Sequence, residues 1–193
     1  MSSSEKEFNT DTVNDGSCDE ESSLVPVWND APCGNDYIPS PNIAPTLYTP
    51  VLYKKGNNVT LQPMMWGMIP PWHPGPDAKS HGLSTNNCRL ESVISSKLYS
   101  PCLNSRRCVI VCEGFYEWLR QGSEKQPFLV SRPTKDDCED GKQLLYMAGL
   151  YSIWQEKVYS YTILTRESNK TLSWLHHRMP CFLHPGTEMH LGF

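Results

Sequence analysis

The feature that most constrains the fold is a run of short apolar, β-branched and aromatic segments divided by turn residues, with little helical periodicity anywhere. Val158–Thr165 is the clearest. There Tyr159, Tyr161 and Ile163 alternate with Ser160, Thr162 and Leu164, the two-residue period of a strand. Val51–Lys54, Met64–Ile69, Arg107–Val111, Phe115–Leu119, Pro127–Val130 and Leu144–Leu150 read the same way. Gly56-Asn57-Asn58 and Gln121-Gly122-Ser123 have the residues of hairpin turns. Helical signal is confined to Glu91–Tyr99 and Ser168–Leu175, the second with Ser168 or Asn169 as cap. The expectation is an α+β domain: a curved or barrel-like, mainly antiparallel sheet with a few short helices.

Residues 1–23 are rich in Ser, Asp, Glu and Asn and hold almost no apolar side chains. Such a segment cannot offset its ordering entropy by burial, so an acidic disordered tail is expected there, followed by a single domain over 24–193. Pro-rich, irregular sequence fills 24–50. The net charge of −4 conceals an asymmetry. Nine acids and the single base Lys6 fall in residues 1–36, leaving 16 bases against 12 acids beyond them. The body is therefore mildly basic and compatible with a nucleic-acid partner. Apolar runs stay far below the roughly 20 residues that span a bilayer, and the start lacks a signal-peptide pattern, so no membrane partner and a nuclear or cytoplasmic location are expected.

Several residues could carry chemistry. Glu117 lies between aromatics in Gly114-Phe115-Tyr116-Glu117-Trp118, a setting that suits a general acid or base, although strand alternation equally allows it to face solvent. His176, beside His177, could transfer protons near neutral pH or be an ordinary packed histidine. Arg178 offers a fork for a phosphate or a carboxylate. Asn87 and Arg89 present an amide and a guanidinium on what reads as a loop. Trp66 and Trp72 could stack on exposed bases or fill a core. Asn42 is an amide held among Pro39, Pro41 and Pro45. Of the eight cysteines, Cys102, Cys108 and Cys112 cluster. Only Cys108-x3-Cys112 approaches zinc spacing, and buried thiols are the favoured reading over a metal site. No cofactor is called for.

The order of these segments resembles the SRAP family. The motifs are Asn42-x-Ala44-Pro45, Met-x-Trp-Gly-x-Ile-Pro-x-Trp, Asn87-x-Arg89-x-Glu91, Gly114 to Trp118 and His176-x-Arg178-Met179-Pro180, a resemblance covering about Trp28 to Pro180. Members of that family are SOS response-associated peptidases in bacteria and abasic-site processing proteins in eukaryotes. The resemblance implies binding of single-stranded DNA that contains abasic sites, shielded by a covalent crosslink in the DNA damage response, with autopeptidase and lyase-like chemistry. It implies Glu117, His176 and Asn42 as catalytic residues, and Trp66, Asn87, Arg89, Trp118 and Arg178 as DNA contacts. It implies a monomer, with replication-fork proteins as further candidate partners. The family's nucleophile is an N-terminal Cys in Met-Cys-Gly-Arg, whereas this sequence begins Met1-Ser2-Ser3-Ser4. Ser2 is a far poorer nucleophile, so crosslinking loses its usual thiol. The sequence also stops soon after Met179-Pro180, from which a domain truncated at its C-terminus is expected. A non-catalytic module binding single-stranded or modified-base DNA is the alternative.

Overall fold

The computed structural model describes residues 37–56, 58–133 and 143–184. The acidic segment 1–23, Ser2, and the segment after His184 lie outside the described residues. Nine strands carry the fold: β1 (Tyr48–Lys55), β2 (Asn58–Trp66), β3 (Asn87–Arg89), β4 (Arg107–Cys112), β5 (Gly114–Gln121), β6 (Glu124–Ser131), β7 (Leu145–Trp154), β8 (Val158–Glu167) and β9 (Arg178–Pro180).

Five of them curl into a ring. Antiparallel pairs link β2 to β1, β1 to β4, β4 to β7 and β7 to β8. A short parallel contact, Met65 opposite Ser160 and Trp66 opposite Tyr161, brings β8 back to β2. Beyond that contact β3 takes over the same edge of β8, parallel, with Asn87, Cys88 and Arg89 opposite Ile163, Leu164 and Thr165. On the other edge β9 succeeds β7, with Thr165 opposite Pro180 and Glu167 opposite Arg178. β5 and β6 form a separate hairpin. The curved, barrel-like, mainly antiparallel sheet expected from the sequence is thus present. Six of the seven expected strands form, mostly longer than their apolar runs indicated; Met64–Ile69 is strand only to Trp66, as the end of β2.

Inside the ring Val51, Tyr53, Met64, Cys108, Ile110, Met147, Tyr151, Tyr161 and Ile163 pack together. The outer faces are covered too. The segment 90–103 lies over Cys88, Leu150 and Leu164, and the 70–83 excursion lies over Met65, Ile69 and Trp154. β8 is consequently buried on both faces, without a break from Ser160 to Thr165. Two of its polar members meet local partners: Thr49 Oγ1 donates to Tyr161 Oη at 2.8 Å and Ile69 N–H donates to Ser160 Oγ at 2.9 Å.

The two helical candidates become turns. Among the described residues only three-residue 3-10 segments appear, Leu90–Ser92 and Ser100–Cys102. The serines of the first candidate divert the backbone: Ser92 Oγ donates to Arg89 O, Ser95 Oγ to Ser92 O, and Ser96 Oγ accepts from Tyr99 N–H. Side-chain hydroxyls that bond nearby backbone compete with a continuous helix.

Two positions set tight geometry. Gly149 lies between β4 and β8, where an added Cβ would sit 2.5 Å from Ile110 Cδ1 and 2.7 Å from Thr162 O. The β7–β8 turn places Gln155 and Glu156 at φ of 48° and 58°, a left-handed pair suited to Asn-Gly. Gly149→Ala is therefore expected to cost about 1–3 kcal/mol in denaturant melts through overpacking. In the same measurement Gln155→Asn with Glu156→Gly should stabilise by about 1 kcal/mol, because left-handed strain is relieved.

Candidate active site

Alternation along β5 settles which way Glu117 faces. Phe115, Glu117 and Leu119 are half-buried, while Tyr116, Trp118 and Arg120 are exposed. Glu117 therefore belongs to the inner face of the hairpin, with Phe115, whose ring lies 6.0 Å from that of Phe182. Opposite this face lies the loop 168–177. Asn169 Oδ1 accepts from the N–H groups of Thr171 and Leu172, as expected of a cap, but the chain continues as turns rather than a helix. Leu175 is buried beneath it, and Ser168 N–H donates to His177 O at 3.0 Å. This geometry carries His176 to Glu117, with Nδ1 3.7 Å from Oε2. The other carboxylate oxygen accepts the N–H of Trp118 at 3.0 Å. Phe115, Val130, Leu175, Arg178 and this pair line a small cleft. The side chains are 36% and 25% exposed, and a pair so wetted adds at most about 1 kcal/mol to stability. Its arrangement suits moving a proton more than holding the fold.

Asn87 and Arg89 occupy strand β3 rather than a loop, because the edge of β8 vacated by β2 is free to pair with them. Register places both on the face of Ile163 and Thr165, the face to which Arg178 also belongs. Both are exposed, and among the described residues the Arg89 side chain has no ion-pair partner. Arg178 closes a fork on a carboxylate: Nη1 and Nη2 donate to Glu91 Oε1 and Oε2 at 3.0 and 2.9 Å, and Nη2 also donates to Thr165 O at 2.7 Å. Glu91 was the residue left without a role in Asn87-x-Arg89-x-Glu91; an acid two positions from a base in one motif was the available signal.

Trp66 is half-buried, packs on the interior core and donates its indole N–H to Asn86 O at 3.0 Å. Trp118 is 47% exposed on the hairpin face opposite Glu117, and Trp72 is 59% exposed in the 70–83 excursion. Asn42 is exposed; its backbone N–H donates to Ser40 Oγ at 3.2 Å, and among the described residues its side chain bonds neither Glu117 nor His176. The described cysteines are buried or half-buried. Desolvation pushes the Cys88 and Cys112 thiols up to about 11 and the Cys108 thiol well up, so these remain protonated at neutral pH. No cluster among the described residues could hold a metal ion, and no described helix is long and apolar enough to cross a membrane.

The hydrogen bonds from Arg178 hold the Glu91 carboxyl down at about 2, from an ordinary 4.5. A depressed carboxylate stabilises the fold above its unfolded pKa, and that contribution disappears as pH falls through the folded one. Wild-type stability should therefore fall more steeply between about pH 4.5 and 2 than that of Glu91→Gln, as followed by urea melts across that range.

Residues 11–191 match the family model described as SOS response associated peptidase (SRAP). The chain is 38% identical over 182 residues to the abasic site processing protein HMCES of Xenopus tropicalis, covering 82% of this chain and 54% of that one. It is 35% identical over 148 residues to the abasic site processing protein YMR114C of Saccharomyces cerevisiae, covering 76% and 38%. The chain thus spans about half or less of the length of these curated relatives. A crystal structure of a Bacteroides thetaiotaomicron protein shares the fold with a TM-score of 0.64 at 23% identity, covering 77% of this chain and 63% of that one. A Bordetella bronchiseptica protein does so at 0.64 and 21%, covering 78% and 74%. With the family model matching residues 11–191 of the chain, the chain belongs to the SRAP family.

Proposed function

We propose that this domain processes abasic sites in single-stranded DNA as part of the DNA damage response. The observation that carries the reading is the His176–Glu117 pair at 3.7 Å, beside a sheet face that presents Asn87 and Arg89. An abasic sugar is a cyclic hemiacetal. Opening it requires removal of the 1′-hydroxyl proton and delivery of a proton to the ring oxygen. Two groups within reach of each other, one able to take a proton and the other to give one, fit that demand. Arg89, exposed and with no ion-pair partner among the described residues, supplies a phosphate contact, and Asn87 a neighbouring polar one. The exposed indole of Trp118 offers a stacking surface for a flanking base, while Trp66 is committed to packing and supports the site from beneath. Asn42 completes the site only if its exposed segment turns toward the bound strand. A protein acting on DNA in this way works in the nucleus or the cytoplasm.

Covalent capture of the opened aldehyde is the further step in this reading. A thiazolidine needs an amine and a thiol on one residue, which an internal cysteine lacks, and the described thiols are in addition buried or half-buried. This observation favours a second reading, a module that binds the lesion without capturing it. An adduct with an abasic oligonucleotide that survives denaturing electrophoresis separates the two, tested with the chain as given and with a version carrying Met-Cys-Gly-Arg ahead of the domain.

In whichever version forms the adduct, Glu117→Gln and His176→Ala should each slow its formation by about 10²–10⁴ while binding persists. Unchanged rates in both variants would refute the assigned roles. Arg89→Ala should weaken binding to undamaged single strands uniformly and reduce the salt slope by about 1.

A further inference from the structure

The β5–β6 hairpin carries Glu117, yet among the described residues it pairs with no strand of the ring. A two-stranded hairpin on its own is at best marginally stable in water. Its order, and the direction in which Glu117 points, therefore depend on side chains that dock its inner face. Two cross-strand pairs supply them. Phe115 and Val130 lie opposite each other beside the connection from β4, and the Phe115 ring meets that of Phe182 at 6.0 Å. Glu117 and Phe128 form the second pair, roughly 7 Å further along the strands. From there to the turn β6 is exposed, over Glu124, Lys125, Gln126 and Pro127. Phe128 is thus the outermost anchor on that strand.

The loop 168–177 meets this outer pair residue for residue. His176 reaches Glu117, with Nδ1 3.7 Å from Oε2. Two positions earlier, Trp174 sets its ring against Phe128, with centroids 5.2 Å apart and planes at 89°. That is the edge-to-face arrangement favoured by aromatic quadrupoles. The loop holds both contacts in register. Leu175 between them is buried, Asn169 Oδ1 closes the turn at Thr171 and Leu172, and Ser168 N–H donates to His177 O. Trp174 is nevertheless 56% exposed, so its indole fills no core and instead joins the loop to the hairpin. Without that contact the hairpin can pivot about Phe115 and carry Glu117 away from His176. A misplacement of about 1 Å can cost about 10²-fold in a reaction that needs both groups aligned.

We propose that Trp174 is a positioning residue for the His176–Glu117 pair, clamping Phe128, and with it the β5–β6 hairpin, onto the loop that carries His176. The proposal rests on the abasic-site reading for its kinetic consequence but not for its structural one. Trp174 holds Phe128; Phe128 holds the hairpin; the hairpin presents Glu117.

The test uses the full chain with Trp174→Ala, Phe128→Ala, the double variant and the conservative Trp174→Phe. Amide hydrogen exchange over β5–β6, read by mass spectrometry against β7 and β8, reports docking of the hairpin. It should quicken about tenfold in each alanine variant and leave β7 and β8 unchanged. The double variant should exchange no faster than either single one, since both remove one contact. In whichever version forms the adduct, the rate at saturating abasic oligonucleotide should fall about tenfold in the alanine variants, with affinity for an undamaged thymidine strand held within about twofold. Trp174→Phe should retain most of the rate and the protection. Unchanged exchange over β5–β6 overturns the proposal, as do additive effects in the double variant. Exchange that quickens over β7 and β8 as well would make Trp174 a general structural residue and also overturn it. So would weaker DNA binding at an unchanged rate, which would make Trp174 a stacking surface for a base. If the chain processes no abasic DNA in either version, the proposed function fails, while the exchange comparison still decides whether Trp174 sets the hairpin.

Discussion

Strand β8 is the element on which the rest depends, because it hydrogen-bonds to four others. Its first half holds β7 on one edge and the end of β2 on the other, and its second half holds β9 and β3 in their places. Both of its faces are covered, so a one-residue slip would exchange the interior Tyr161 and Ile163 for the outward Thr162 and Leu164. The same fixed register sets the spacing of the site. Thr165 lies opposite Arg89 across one edge and opposite Pro180 across the other, which brings the Asn87–Arg89 and His176–Arg178 motifs, far apart in sequence, onto one face.

The strands were legible because their side chains had to be apolar or β-branched on at least one face, a requirement written directly into residues such as Val51, Ile110 and Tyr161. β3 and β9 were not. Asn87 and Arg89 are exposed, and their strand exists only because β8 offers an unpaired edge, a condition no local pattern records. The β7–β8 turn was hidden for a related reason. Gln155 and Glu156 are not the residues a left-handed turn prefers, and the paired strands on either side impose it. The helical reading of Glu91–Tyr99 failed where serine hydroxyls captured the backbone.

At the site, Glu117 was legible as a residue but not in orientation, since alternation fixes two faces without naming the covered one. The loop 168–177 decided that. Arg178 was anticipated as a fork for either a phosphate or a carboxylate, and the fold provides the carboxylate from Glu91, 87 positions away in sequence. The Trp66 indole, open to either reading, is mainly a core residue.

The ring is closed by two residue pairs, Met65 with Ser160 and Trp66 with Tyr161, between partners 95 positions apart. The antiparallel strands β7 and β8 meet through a tight turn and can pair early, whereas joining β2 to β8 carries the loop-closure entropy of about half the chain. That seam is therefore suited to form late in folding and to part first in native-state fluctuation. Trp66 lies on it, and its indole N–H reaches across to the residue preceding β3. Breathing at the seam would loosen the strand that presents Asn87 and Arg89 while leaving the β4–β7–β8 core intact, giving that edge a mobility of its own.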